Sequence, residues 1–200
     1  MDGFMTHTVG QQLERVAAAY PDKEAIKYTD RPYRRTWREF NEECDRVAKG
    51  FLAHGVKKGD KIAIWATNIP QWLLTLFAAC KIGAVLVTVN TAYKVFELEY
   101  LLKQSDTKIL VMMDEYKGTS YVDIVRQLCR GLGKQGEHLN PMLPCLDEIG
   151  YAGAGDCPDG MTPWDQLEKD GQAIPDEALR EIGEALDCHD VINMQYTSGT

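Results

Sequence analysis

The chain has 200 residues, the length of one or two compact domains, and its 44% hydrophobic and 26% charged residues are ordinary for a globular protein. These values exclude a disordered or fibrous chain. The 30 acidic side chains against 22 basic ones give a formal net charge of −8, which disfavours a nucleic-acid partner, because phosphate backbones bind through Lys and Arg.

The sequence shows no signal for export or membrane insertion. No basic flank followed by an apolar run opens the chain, and no apolar stretch reaches the roughly 20 residues that cross a bilayer. We therefore expect a cytoplasmic protein with free thiols, since no pair of cysteines has the close spacing of a zinc site. The six cysteines are Cys44, Cys80, Cys129, Cys145, Cys157 and Cys188.

One stretch is basic, with four arginines interleaved with two aromatic residues. It could bind an anionic partner, but we interpret it as a solvated hairpin and helix start whose aromatic rings face the core. The residues are Arg31, Tyr33, Arg34, Arg35, Trp37 and Arg38.

The first predicted elements are a hairpin and a long amphipathic helix. Residues 25–28 and 33–36 predict two short strands. Thr36 is placed to cap the helix that follows, and Glu39 completes a capping box. Apolar residues at spacings of three and four continue along this helix, and Gly55 is expected to end it.

Two buried strands with a helix between them come next. The strands are predicted at 61–67 and 84–89, where apolar residues dominate. Asn68 is expected to cap the intervening helix, with Pro70 in its first turn. This helix is apolar nearly all round, which predicts that it is buried.

The alternation continues with a helix at 95–103, a strand at 108–113 and a helix that Ser120 opens and Gly131 ends. Strands and helices that alternate through short links form βαβ units. We therefore predict an α/β fold, with a mainly parallel sheet flanked by helices in a Rossmann-like or flavodoxin-like arrangement.

A connection rich in Gly and Pro then occupies about residues 130–163, expected at the surface with one strand near 145–149. Thr162 and Pro163 predict the start of a helix, with Thr as the cap and Pro at the first helical position. A further helix is predicted at 176–186.

The last predicted strand, residues 191–196, runs into Thr197, Ser198, Gly199 and Thr200. Hydroxyl groups and exposed amides bind phosphate oxygens, and glycine lets the backbone approach an anion closely. Taken alone, four small polar residues after a strand are more typical of a plain turn. Their context in the chain favours a phosphate-binding loop.

The run Tyr-Thr-Ser-Gly-Thr at 196–200 resembles the opening of the phosphate-binding loop of the adenylate-forming, or AMP-binding, enzymes. The resemblance extends over about residues 10–200 and is closest to fatty acyl-CoA synthetases, the medium-chain ones in particular. Thr91 departs from the proline of many relatives, which affects a turn and puts no chemistry in doubt. The other segments that carry the resemblance are 59–64, 68–72, 78–85, 90–93, 97–102, 105–108 and 188–195.

This resemblance implies a two-step reaction that uses ATP, Mg²⁺ and coenzyme A. A carboxylate attacks the α-phosphorus of ATP to give an acyl-adenylate and pyrophosphate, and the thiol of coenzyme A then displaces AMP. It further implies that Thr197, Ser198, Gly199 and Thr200 contact the β- and γ-phosphates. No catalytic residue and no metal ligand is implied within the 200 residues.

The resemblance also implies a division of the chain. Residues 1–186 correspond to the first subdomain of an N-terminal adenylation domain, and residues 187–200 begin the next one. In the family, the remaining phosphate loop, the Mg²⁺-binding Glu and the catalytic Lys lie further along the sequence. We therefore expect an inactive N-terminal fragment of an acyl-CoA synthetase whose exposed apolar face leads to self-association.

Three alternatives stay open. The parent enzyme could adenylate an aryl or amino acid, because the family builds its acyl pocket mostly further along the chain. The chain could also be a natural short copy that acts as a binding or assembly module. Finally, Cys188 and His189 could form a thiol dyad, although neighbouring residues in an extended segment point to opposite sides, which favours a plain turn at the strand entry.

Overall fold

The computed structural model describes residues 6–197, which begin with a helix and a hairpin. Helix α1 spans Val9–Ala19 and was not expected from the sequence. Strand β1 (Glu24–Lys27) pairs in antiparallel fashion with β2 (Arg34–Thr36), which confirms the predicted hairpin.

The long helix α2 (Trp37–Ala53) begins with the predicted capping box. The Thr36 hydroxyl accepts a hydrogen bond from the Glu39 N–H at 3.3 Å, and the Glu39 carboxylate accepts one from the Thr36 N–H at 2.8 Å. The helix closes with His54 as its cap and Gly55 in the left-handed region, at φ 76°. Gly55 thus ends the helix as expected, because glycine takes this conformation without a Cβ clash.

A βαβαβ unit follows with the predicted order of elements. The expected cap at Asn68 is wrong, because Ile69 is the residue that precedes the helix and no side chain caps it. The Asn68 side chain instead accepts a hydrogen bond from the Tyr28 hydroxyl at 3.3 Å. The elements are β3 (Lys61–Trp65), α3 (Pro70–Ile82), β4 (Val85–Thr88), α4 (Val95–Gln104) and β5 (Thr107–Met112).

A small hairpin that the sequence did not indicate precedes the next helix. It consists of β6 (Glu115–Tyr116) and β7 (Thr119–Ser120). Helix α5 (Tyr121–Leu128) follows, and the Ser120 hydroxyl accepts a hydrogen bond from the Asp123 N–H at 3.1 Å, which confirms the predicted cap.

The segment expected to be a surface connection contributes to the sheet. Strand β8 (Glu148–Tyr151) pairs with β5, and β9 (Thr162–Pro163) pairs with β8. Leu146, just before β8, is fully buried. The predicted helix start at these two β9 residues is wrong in detail, because α6 (Trp164–Asp170) begins after them without a side-chain cap.

The sheet has six parallel strands in the order β10-β4-β3-β5-β8-β9, which confirms the predicted fold class. Helix α7 (Asp176–Glu184) precedes β10 (Asn193–Gln195). One core cluster joins a sheet face to α1, α2 and α3, and the other joins the opposite face to α4 and α5. Within residues 6–197, no helix is both long and apolar enough to cross a membrane.

Candidate functional site

The carboxyl ends of the parallel strands meet at one edge of the sheet, which is where open α/β sheets bind ligands. Thr197 follows β10 at this edge and is exposed. Gln195 of β10 lies opposite Thr88 of β4, so the segments that follow these two strands leave the sheet side by side. The phosphate-loop candidate thus begins at the edge expected for a ligand site.

The strand order reverses at β3. The chain passes from β3 to β4 on one side and then returns to β5 on the other side. The helix after β3 packs on one face of the sheet, and the helix after β4 packs on the opposite face. In such a sheet the crevice lies between the strands that flank the reversal, here β3 and β5. Strand β10 lies beside β4, which separates it from β3.

Two buried aromatic residues fix the loop that follows β4. The Trp65 indole N–H donates to the Asn90 carbonyl at 3.1 Å, and the Tyr121 hydroxyl donates to the Thr91 carbonyl at 2.7 Å. The Ala92 N–H donates to the Asn90 side chain at 2.9 Å. Burial raises the pKa of Tyr121 to about 12, so its hydroxyl stays protonated and able to donate.

These two aromatic residues were not singled out from the sequence. The available signal was the polar tip of each ring, because a buried Trp or Tyr usually finds a hydrogen-bond partner. The bond to Thr91 uses its carbonyl, which a proline would also offer. A threonine in place of the expected proline is therefore compatible with the same loop.

Strand β10 presents alternate side chains to the core and to solvent. Met194 and Tyr196 pack against the cluster that contains α4 and α5, whereas Gln195 and Thr197 are exposed. Burial raises the pKa of Tyr196 and keeps its hydroxyl neutral. Thr197 is exposed, so its hydroxyl is available to an anion. Ser198, Gly199 and Thr200 lie outside the described residues, so their phosphate contacts stay a prediction.

Asp187, Cys188 and His189 form an exposed turn shortly before β10. One carboxylate oxygen, the thiol sulfur and one ring nitrogen all lie within 4.8 Å of one another. The predicted turn at the strand entry is confirmed, but the expectation that Cys188 and His189 face opposite sides is wrong, because the segment is not extended there.

The turn at 187–189 does not suit a Mg²⁺ ion. Mg²⁺ takes oxygen ligands, whereas the turn at 187–189 offers sulfur and nitrogen together with one carboxylate. Within residues 6–197, no other group of three His, Cys, Asp or Glu side chains converges in this way.

The arginine-rich stretch is neutralised by carboxylates of the same chain. Its four guanidinium groups each pair with a nearby acidic side chain, which accounts for the stretch without an anionic partner. The pairs are Arg31–Asp30, Arg34–Glu24, Arg35–Glu43 and Arg38–Asp22.

The AMP-binding enzyme family matches residues 13–200 of the chain. YngI of Bacillus subtilis (strain 168), named as an acyl-CoA synthetase, is 48% identical over 96% of this chain and 35% of its own length. The human medium-chain acyl-CoA ligase ACSF2, named as mitochondrial, is 34% identical over 96% of this chain and 32% of its own length. The chain thus spans about a third of the length of these relatives.

Solved structures share the fold. The anthranilate CoA ligase AuaEII in complex with anthranoyl-AMP matches with a TM-score of 0.74 and 22% identity, over 99% of this chain and 33% of that one. The N-terminal domain of FACL13 from Mycobacterium tuberculosis matches with a TM-score of 0.68 and 22% identity, over 96% of this chain and 42% of that one. With the family matching almost the whole sequence, this chain belongs to the AMP-binding enzymes.

Proposed function

We propose that this chain belongs to an AMP-forming acid–thiol ligase and supplies the start of its phosphate-binding loop. The observation that carries this proposal is the course of β10, which directs Thr197 to the carboxyl edge of the sheet, ahead of Ser198, Gly199 and Thr200. Membership of the AMP-binding family supports it, as do relatives named as acyl-CoA synthetases.

The proposed reaction has two steps. A carboxylate oxygen of the acid attacks the α-phosphorus of ATP, and the bond to pyrophosphate breaks to leave an acyl-adenylate. The sulfur of coenzyme A then attacks the acyl carbon, loses its proton, and displaces AMP. When bound, Mg²⁺ would neutralise part of the phosphate charge.

The role of the loop follows from where charge develops. Negative charge grows on the departing pyrophosphate during the first step, and donors held in place beforehand stabilise it without reorganisation. Residues 197–200 offer three hydroxyl groups and their backbone N–H groups for this purpose. The bonds of Trp65 and Tyr121 to the loop after β4 would keep the segment beside residues 197–200 fixed.

We propose a fatty acid of medium or long chain as the acid. The relatives at 48% and 34% identity, named as acyl-CoA synthetase and medium-chain acyl-CoA ligase, support this class. An aryl or amino acid is the alternative. The likeness to an anthranilate CoA ligase is at 22% identity and bears on the fold alone.

Carboxylate-dependent exchange between ATP and pyrophosphate tests the proposal. We would compare the 200-residue chain with a form extended through the region that its relatives carry beyond the match. Short, medium and long fatty acids, an aryl acid and amino acids form the panel. We expect exchange only from the extended form, with medium or long fatty acids. Exchange with aryl or amino acids alone would refute the substrate class, and no exchange from a folded extended form would refute the function.

We also propose that residues 1–186 form the first subdomain and that residues 187–200 begin the second. The position of β10 at the edge of the sheet supports this division, because a following subdomain could continue from there. A role in lipid metabolism, a cytoplasmic location and self-association of the isolated chain complete the proposal. Exposed Phe96 and Tyr100, on one face of α4, support self-association.

A further inference from the structure

The turn that joins α7 to β10 gathers three side chains that can bind a transition metal. The donor atoms of Asp187, Cys188 and His189 lie within 4.8 Å of one another, and all three residues are exposed. Ligands at the bond lengths usual for tetrahedral zinc stand about 3.3–3.8 Å apart. Side-chain rotations that move the donors by about 1 Å would therefore complete the site.

The backbone of this turn is held by its own hydrogen bonds. The Asp187 N–H donates to the Asp190 carboxylate at 2.8 Å, and the His189 N–H donates to the Asp187 carboxylate at 2.8 Å. The Lys58 ammonium lies 2.6 Å from the Asp190 carboxylate, so its positive charge is compensated next to the turn. The three donors are thus brought together by a fixed turn, and less entropy is lost when they bind an ion.

The turn also borders a cavity of about 190 Å³. Asp187 and Cys188 line it on one side, and His7 lines it from the segment before α1. A metal held by three protein ligands keeps a further position for water or another donor, and the exposure of all three residues leaves that position open to solvent.

The donor set decides which ions fit. Thiolate and imidazole favour Zn²⁺ and Co²⁺, whereas Mg²⁺ and Ca²⁺ prefer oxygen ligands alone. We propose that Asp187, Cys188 and His189 form a three-ligand site for a borderline divalent ion of the Zn²⁺ type. Binding releases the thiol proton of Cys188 to solvent and fixes the segment that leads into β10. The site is independent of the proposed ligase reaction.

Titration of the untagged chain with Co²⁺ tests the site. Co²⁺ replaces Zn²⁺ in such sites, and a thiolate ligand gives it a charge-transfer absorption that other ligands do not. We expect this absorption to saturate at one ion per chain and to disappear on addition of Zn²⁺. Cys188→Ser should abolish it, and His189→Gln should weaken binding by at least about tenfold.

Cys145→Ser is the matched control, because Cys145 is the other exposed cysteine among the described residues. It should leave the titration unchanged. As a second measurement, Zn²⁺ should slow alkylation of Cys188 and not of Cys145, as followed by peptide mass spectrometry. All the substituted residues are exposed, so the variants should fold. Absence of the absorption in the unsubstituted chain, or its persistence in Cys188→Ser or at full strength in His189→Gln, would overturn the proposal.

Discussion

The indole of Trp65 stacks on the ring of Tyr121, with ring centroids 3.6 Å apart and ring planes 7° from parallel. Both residues are fully buried, and each donates a hydrogen bond to the loop after β4. The pair therefore links the interior of the sheet to the loop after β4 at its carboxyl edge. A substitution of either residue should change both the free energy of unfolding and the order of that loop.

Removal of the Tyr121 hydroxyl tests this link. We expect Tyr121→Phe to lower the free energy of unfolding by about 1 kcal/mol, because the Thr91 carbonyl loses its donor. Trp65→Ala should cost about 3–5 kcal/mol, since it also leaves a cavity. Urea denaturation measures both, with Tyr20→Phe at a half-exposed tyrosine as the control. Equal stability of Tyr121→Phe and the control would contradict the link.

His54 lies between two carboxylates near the amino end of β8. Its Nδ1 is 2.7 Å from a Glu148 oxygen, and its Nε2 is 3.0 Å from an Asp170 oxygen. Only the imidazolium can donate to both. Burial lowers the pKa of His54, but the hydrogen bonds and charges of Glu148 and Asp170 outweigh it and raise the pKa above its usual value.

A raised pKa makes the stability of the fold depend on pH. The contribution of His54 should be fully present below the ordinary histidine pKa of about 6.5 and should be lost as the pH rises through the folded-state pKa. His54→Gln should therefore lower the thermal midpoint most at acidic pH. The difference in thermal midpoint between the variant and the unsubstituted chain should narrow as the pH rises. The exposed His138→Gln serves as the control. A difference in thermal midpoint that stays the same from acidic to alkaline pH would show that the charge of His54 does not contribute.

Two helical glycines should respond oppositely to alanine. A Cβ on buried Gly50 of α2 would meet the Leu167 carbonyl of α6, whereas one on Gly183 of α7 finds no such atom closer than 3.8 Å. Gly50→Ala should lower the free energy of unfolding by about 1–3 kcal/mol, because α2 and α6 must separate. Gly183→Ala should raise it by up to about 1 kcal/mol through helix propensity. Chemical denaturation measures both changes. A similar change in the free energy of unfolding for the two variants would contradict the close contact at Gly50.

Residues 191–197 should exchange their amide hydrogens faster than the central strands. Strand β10 has three residues and lies at the edge of the sheet, whereas β3 lies between β4 and β5. Edge strands with few buried contacts open at low free-energy cost. Hydrogen exchange followed by mass spectrometry measures this difference. Protection in 191–197 equal to that in β3 would contradict this prediction.

The sequence predicted the elements that depend on neighbouring residues. The capping box and the apolar spacings act within a few positions, so the start of α2 and the strands of the βαβ units were found. The cap at Asn68 failed because Tyr28, 40 residues away, takes its side chain. Strand β8 was placed only roughly, because its partner β5 lies far from it across a long connection.

The candidate site was likewise predicted only where it depends on neighbouring residues. Thr197 was proposed from a contiguous motif, whereas the contact between Trp65 and Tyr121 joins residues that are distant in sequence. The convergence of Cys188 and His189 was missed because the segment was taken as extended. The carboxylates of Asp187 and Asp190 accept hydrogen bonds from backbone N–H groups and fold it into a turn.

The most direct measurement is ATP–pyrophosphate exchange by the extended form after Thr197→Val and Ser198→Ala are introduced singly. With a fatty acid present, we expect each to reduce the rate about 10²-fold, because each removes one donor from the pyrophosphate. Thr162→Val, on the strand at the far edge of the same sheet, should leave the rate unchanged. Rates for the Thr197 and Ser198 variants equal to this control would contradict a phosphate-binding loop at the end of β10.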